Sequence, residues 1–167
     1  MITIISASSR EESNTKKVAL EYLRLLSALT TEEICLLSLD EVKVAERTEE
    51  LLKAERDLLI PAQKFIIIIP EYHGSYPGIL KVMIDNNDVR KAWWHKKALL
   101  VGVSTGRAGN LRGMEHLTGV LLHLKMPVHP NRLPISAVDK LLNEEGRFTD
   151  VNTLKSINEQ LEEFILF

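Results

Sequence analysis

The chain of 167 residues has one cysteine, and no glycine before Gly74. Each shortage excludes something. A single cysteine, Cys35, cannot close an internal disulfide, and nothing around it obviously lowers its pKa. Its expected place is a core strand in a reducing cytoplasm rather than a catalytic site. Because Gly74 comes first, a GxGxxG dinucleotide turn after the first apolar run is excluded, and no GxxxxGK[ST] phosphate loop is usefully placed. Charge of either sign is not in excess: 21 Lys and Arg stand against 23 Asp and Glu, for a net charge of −2. No global field therefore points to nucleic acid or to an anionic membrane as a partner. No apolar run approaches the roughly 18 residues that would cross a bilayer. The opening MITIISASS lacks the basic start and long apolar stretch of a signal peptide. No repeat, low-complexity tract or linker divides the sequence, and its length suits one domain over residues 1–167 with one core.

What is present alternates. Ile2 to Ile5 reads as a strand feeding the polar SASSREES, and Ser13 to about Leu29 carries apolar residues at helical spacing. Glu33 to Leu39 reads as a second strand and Thr48 to about Leu59 as a helix closed by Pro61. Phe65 to Ile69 (FIIII) is a third strand. Ile79 to about Val89 has helical spacing, with Pro77 placed for a first turn. Ala98 to Val103 is a fourth strand, Gly113 to Leu124 a helix, Met126 to His129 a short fifth strand, and Val151 to Phe164 a closing helix. Near-continuous apolar strands alternating with helices predict a doubly wound α/β domain, a five-stranded parallel sheet between two helical layers. Ligands of such sheets sit outside the carboxyl ends of the strands, where strand order reverses.

Three loops should meet there: Ser6 to Thr15, Pro70 to Gly78, and Ser104 to Gly113. Seven of the eight glycines fall between Gly74 and Gly119, so close backbone approach is concentrated after the third and fourth strands. In the first loop Ser8, Arg10, Ser13, Asn14 and Thr15 place hydroxyls, backbone N–H groups and one guanidinium before a helix, a set suited to a terminal phosphate. Helix capping explains part of the same pattern: SREE matches a capping box, and Ser13 is itself an acceptable N-cap. The second loop, PEYHGSYPG, puts Pro70, Glu71, Tyr72, His73 and Gly74 at a strand end, which suits the edge of a flat aromatic ligand. STGRAGN adds Ser104, Thr105, Gly106 and Arg107. A phosphate pocket beside two loops made for a planar ring describes a mononucleotide, FMN before others.

The spaced residues Ser8, Arg10, Ser13 and Thr15, then PEYHGSYPGILKVMID, then STGRAGNLRGMEHL, resemble the NADPH-dependent FMN reductase family in order from Ile2 to about Ile135. The resemblance implies a flavodoxin-like fold, FMN and NAD(P)H as cofactors, and a small-molecule electron acceptor such as free flavin, a quinone, an azo dye or a metal oxyanion. It further implies a homodimer or homotetramer. Carried over by position, Ser8, Arg10, Ser13 and Thr15 would hold the phosphate, with Asn14 acting through its backbone. Glu71, Tyr72, His73 and Gly74 would edge the isoalloxazine ring, and Ser104, Thr105, Gly106 and Arg107 would close its other side. Four places depart from the family pattern. Ala7 and Asn110 stand where glycine is common, His73 where asparagine is common, and Asn86–Asp88 replace an aromatic. Hydride transfer to a flavin needs no protein base, so no catalytic side chain is named. The alternatives are a non-enzymatic flavodoxin-type carrier, which would be strongly acidic, and a flavin-binding protein that has lost activity.

Other features have plainer readings. His116 and His123 share a helix without a third ligand, which favours solvent-facing or interface histidines over a metal site. Trp93 and Trp94 are adjacent and are not expected to face one core together, so one should be exposed or at an interface. The tail LEEFILF suits core packing or a partner contact. The charges of TEELLKAERD suit a solvated helix face.

Overall fold

A computed structural model describes residues 1–167. Its order is β1 (Ile2–Ser6), α1 (Asn14–Leu29), β2 (Ile34–Ser38), α2 (Glu49–Ala54) running into a π-helical turn (Glu55–Leu59), and β3 (Lys64–Pro70). There follow α3 (Gly78–Asn86), α4 (Val89–Ala92), β4 (Lys97–Val103), α5 (Leu111–His123), β5 (Leu133–Ile135) and α6 (Val151–Leu166). All five strands are parallel in the order β2-β1-β3-β4-β5. That is the flavodoxin-like order, whose reversal of direction falls between β1 and β3.

The apolar strands work because side chains alternate across the sheet. Phe65, Ile67 and Ile69 of β3 join Ile5, Leu80, Met83, Trp93, Met114 and Leu117 under α2, α3 and α5. Ile66 and Ile68 turn the other way, with Ile2, Ile4, Val18, Tyr22, Leu26, Leu161 and Phe164, beneath α1 and α6. Both faces are covered, so neither needed polar spacers. Ser13 caps α1, its Oγ accepting from the Lys16 N–H at 3.2 Å. Of the two capping signals, SREE therefore serves as loop. No helix is long and apolar enough to cross a membrane.

The fifth strand is displaced from its expected place. Met126–His129 makes only a single bridge, Val128 beside Ala98, because Pro127 and Pro130 have no N–H to extend a ladder. The chain steps away and returns as Leu133–Ile135 beside Val101–Val103, where Pro134 is tolerated on an edge strand. Two other expectations change. Cys35 lies on the half-exposed β2 rather than in the core, and burial, then Glu33, push its thiol pKa up. Glu55 does not join a solvated face. The wider turn it opens aims its carboxylate inward, where it accepts from Asn87 Nδ2 (3.0 Å) and the Asp88 N–H (2.6 Å).

The tryptophans divide as expected. Trp93 is fully buried against Phe65, and Trp94 is part-exposed with Lys125 Nζ 3.8 Å from its ring centre. The tail packs: Phe164 is buried and, with Phe167, flanks His129. At the sheet's amino end Lys96 Nζ donates to Leu59 O (2.6 Å) and Ile60 O (2.9 Å), and burial lowers its pKa to about 8. That end holds structure together. The carboxyl end is built differently.

Candidate active site

At the carboxyl ends of β1, β3 and β4 the three loops meet around a cavity of about 170 Å³. Its walls carry Arg10, Ser13, Asn14 and Thr15 from the first loop, Pro70, Glu71 and Tyr72 from the second, and Ser104 and Thr105 from the third. Val103 and Val138 complete it. Nine of the fourteen residues expected at the site thus line one cleft. The other five do not. Ser8 is buried behind it, and His73, Gly74, Gly106 and Arg107 lie beyond its walls.

The first loop leaves donors open. Ser13 Oγ claims the Lys16 N–H, while the Asn14 and Thr15 N–H groups have no partner in the chain. These are the orphan donors of a helix start, and with the helix dipole they favour an anion. Lys16 is not available to it. Its Nζ is held by Asp40 (2.7 Å) and Glu41 (2.6 Å), and Asp40's hydrogen bond is the chief reason the ammonium's pKa rises. Burial would raise the Asp40 carboxyl, but Lys16 and Ser38 outweigh it and hold it low. Arg10 is therefore the one cationic side chain on the cleft wall.

Ser8 has another task. The residue is 1% exposed; its Oγ accepts from the Arg10 N–H (3.1 Å) and lies 2.9 Å from the Tyr72 hydroxyl. The Arg10 guanidinium sits over the Tyr72 ring, 4.5 Å from its centre. The hydroxyl expected to face a phosphate instead ties the first loop to the second.

The second loop is a tight turn. Tyr72 and Ser75 exchange N–H···O bonds of 3.0 and 3.1 Å, and His73 (φ 52°) and Gly74 (φ 75°) both take the left-handed conformation. Two central residues at positive φ define a type I′ turn, for which glycine, and less readily asparagine or histidine, is suited. The His73 and Gly74 N–H groups donate to nothing within the chain. Open donors at the end of a buried strand suit the polar edge of a planar ring. The third loop closes on itself through Ser104 Oγ, which donates to Gly106 O (2.9 Å) and accepts from the Gly109 N–H (3.0 Å). Arg107 is exposed.

Four residues that shape the site were not among those expected there. Val138 and Ala137 dock on the third loop by donating to Ser104 O (3.1 Å) and Gly106 O (3.0 Å). Their only local signal was a short polar-apolar stretch after the resemblance ended. Arg112 lies against the turn, its Nη1 2.8 Å from where a Cβ on Gly74 would stand. Asn110 is completely buried; its place within STGRAGN was the available clue. His116 and His123 are exposed on α5, and His116 Nδ1 is 2.9 Å from Ser75 Oγ. A larger groove of about 610 Å³ lies past Ser9, between Leu39–Thr48 and α3. Its walls are mostly aliphatic, and the helix start it reaches, at Thr48, caps a helix of six residues with Glu49 and Glu50 in its first turn, which disfavours an anion.

A 2-1-3-4-5 parallel sheet with helices on both faces is the flavodoxin-like architecture, and the open donors of a helix start and a turn at its switch point suit a mononucleotide. Comparison with known proteins narrows this. Residues 1–139 match the NADPH-dependent FMN reductase family, and the chain belongs to it. An NAD(P)H-dependent FMN reductase of Pseudomonas aeruginosa is 31% identical over 112 residues, covering 64% of this chain and 60% of that protein. A quinone reductase of Pseudomonas putida is 27% identical over 161 residues, covering 89% and 84%. Among solved structures, the flavoenzyme NAD(P)H:(acceptor) oxidoreductase of Paracoccus denitrificans shares the fold. Its TM-score is 0.75 at 22% identity, with 98% of this chain and 94% of that one covered. The chain thus spans under two thirds of the P. aeruginosa reductase and most of the other two.

Proposed function

We propose that this chain uses FMN to take reducing equivalents from NAD(P)H and pass them to a small acceptor, free flavin or a quinone. The observation that carries the reading is the cleft itself, with an open helix start and Arg10 on its wall. Just beyond that wall the second loop turns with two unclaimed N–H groups, those of His73 and Gly74. Those donor sets fit the two ends of FMN. Arg10, Ser13, Thr15 and the Asn14 and Thr15 N–H groups would hold the phosphate. Pro70 and Glu71 through Gly74 would border the ring, with Ser104 through Arg107 opposite, and Ser8 would act through Tyr72. When bound, FMN supplies the two-electron chemistry; the chain's part is to bind it, orient it and leave one side open. The quinone reductase relative supports an acceptor of that class.

With no second nucleotide fingerprint in the sequence, NAD(P)H and acceptor would dock in turn at the same place, beside Tyr72, His73 and Arg107. Initial rates of NAD(P)H oxidation with a quinone should then give parallel double-reciprocal lines. Intersecting lines, with a nicotinamide analogue and acceptor bound together, would refute the shared site. No oxidation above background with FMN and quinone present would refute the enzymatic reading.

A homodimer or homotetramer in a reducing cytoplasm belongs to the same proposal. Support comes from aliphatic side chains left in solvent on the two helices next to the cleft: Val82 on α3 (38% exposed), and Leu111 (54%) and Leu122 (58%) on α5. Trp93, being buried, is no part of that surface, whereas Trp94 is available to one. Light scattering of the FMN-loaded protein should return at least twice the chain mass of 18.9 kDa. A monomer with full activity would exclude the assembly.

A further inference from the structure

Asn110 stands between the second and third loops, fully buried, at the residue before α5. Its Nδ2 donates to Ile69 O (3.1 Å) and Pro70 O (2.8 Å), the carbonyls that close β3 and open the turn-bearing loop. Its backbone N–H reaches Glu71 Oε2 at 3.3 Å. The orientation of the carboxamide is forced, since two carbonyl oxygens can only be met by its amino group. Its Oδ1 is left buried and without a partner. A side chain kept at that cost is kept for what its other end does.

The surroundings are shaped to admit it. A Cβ on Gly113 would stand 2.1 Å from Asn110 Oδ1, and one on Gly102 would stand 3.2 Å from Asn110 Cβ. The backbone of Asn110 is left-handed (φ 61°), a conformation that glycine adopts more readily. Backbone geometry alone therefore asks for glycine; the two carbonyls ask for asparagine.

We propose that Asn110 is a positioning residue for the flavin ring: by pinning Ile69, Pro70 and Glu71 to the start of α5, it sets where the Tyr72–Ser75 turn presents its open N–H groups. The inference rests on the FMN reading above. The phosphate loop meets the second loop at Tyr72, through Ser8, and makes no hydrogen bond with Asn110. Loss of the clamp should therefore disturb ring and phosphate unequally.

Asn110→Gly keeps the left-handed backbone and the N–H bond to Glu71, and removes the carboxamide's two bonds to Ile69 O and Pro70 O. Its visible circular dichroism with FMN should change from wild type. Affinity for FMN and for riboflavin should fall by a common factor of roughly tenfold, the scale of one lost hydrogen bond to the ring, leaving their ratio unaltered. A role in fold stability alone would lower the melting temperature without moving the flavin dichroism or either affinity, and would overturn the proposal. A second measurement needs no variant. In wild-type amide exchange, FMN should protect Glu71–Gly74 and Asn110–Arg112 together. Protection of the turn without the α5 start would equally overturn it. A wild-type chain that binds no FMN would remove the FMN reading and this inference with it. Wild-type binding with an unchanged Asn110→Gly spectrum would remove this inference alone.

Discussion

Arg10→Ala should weaken FMN binding by about one to two orders of magnitude while leaving riboflavin binding near its wild-type level. Charge-assisted hydrogen bonds are worth roughly 1.5–3 kcal/mol each, and 1.4 kcal/mol is a factor of ten in affinity. The large expectation follows from the absence of a substitute on the cleft wall. Lys16, the nearest cation in the sequence after Arg10, is committed to Asp40 and Glu41. The helix start would still favour an anion, by about 0.3–1 kcal/mol, so binding should fall without vanishing. Arg10 also covers the Tyr72 ring, so Arg10→Lys separates charge from shape. The charge remains, but the planar fork is lost, and recovery should be partial. Titration by flavin fluorescence measures all three proteins. Equal affinity of the wild type for FMN and riboflavin would dismiss the phosphate assignment.

Gly102→Ala is expected to have the largest effect on stability, about 3 kcal/mol, at the upper end of what overpacking costs. Gly102 pairs with Ile69 in the middle of the sheet, and an added Cβ would lie 2.1 Å from Gly109 O. The obstacle is backbone, not a side chain that could swing aside. Gly109 is itself held, with a left-handed φ of 57° and Pro134 pressed against it on the other side. Relief would have to move the third loop bodily, and Asn110 with it. A chain of this length loses about 2–4 °C per kcal/mol, so thermal denaturation should report a drop of about 10 °C. FMN affinity should fall in parallel. A wild-type melting temperature would show that the third loop yields freely, and the rigid frame assigned to it would be wrong.

The parts legible in the sequence share a property: their signal is local. FIIII announces a doubly buried strand because both faces of its pleat must be covered, and the structure covers both. Ser13 announces a helix start because its hydroxyl reaches an N–H three residues on. The His73-Gly74 pair sits in a turn whose two central residues must tolerate positive φ. Where competing local signals were close, the sequence did not choose. SREE and Ser13 both suit a cap, and only the path of the chain from β1 selects the second. The fifth strand was misplaced because Met126–His129 has the right composition and the wrong hydrogen-bonding inventory. Pro127 within it and Pro130 after it cut the ladder to one bridge, and the less conspicuous Leu133–Ile135 took the edge.

The amino-acid order by itself determined the alternation of strands and helices, the three polar loops after strands 1, 3 and 4, and the residue types gathered there. Only the tertiary structure decided which of those residues face the cleft and which hold it open. Ser8 and Thr15 have similar hydroxyls within one loop, yet Thr15 lines the cavity and Ser8 is turned onto Tyr72, 64 positions away. Lys16 and Arg10 are both cations, and carboxylates arriving from the β2 end claim the first. Asn110 reads as an ordinary loop residue until β3 brings two carbonyls to its amide. Hydrogen bonds and ion pairs are short-ranged, so a polar side chain's role depends on which distant segment the fold sets within about 3 Å of it. That neighbour is fixed by sheet order and register, and no local stretch of sequence contains it.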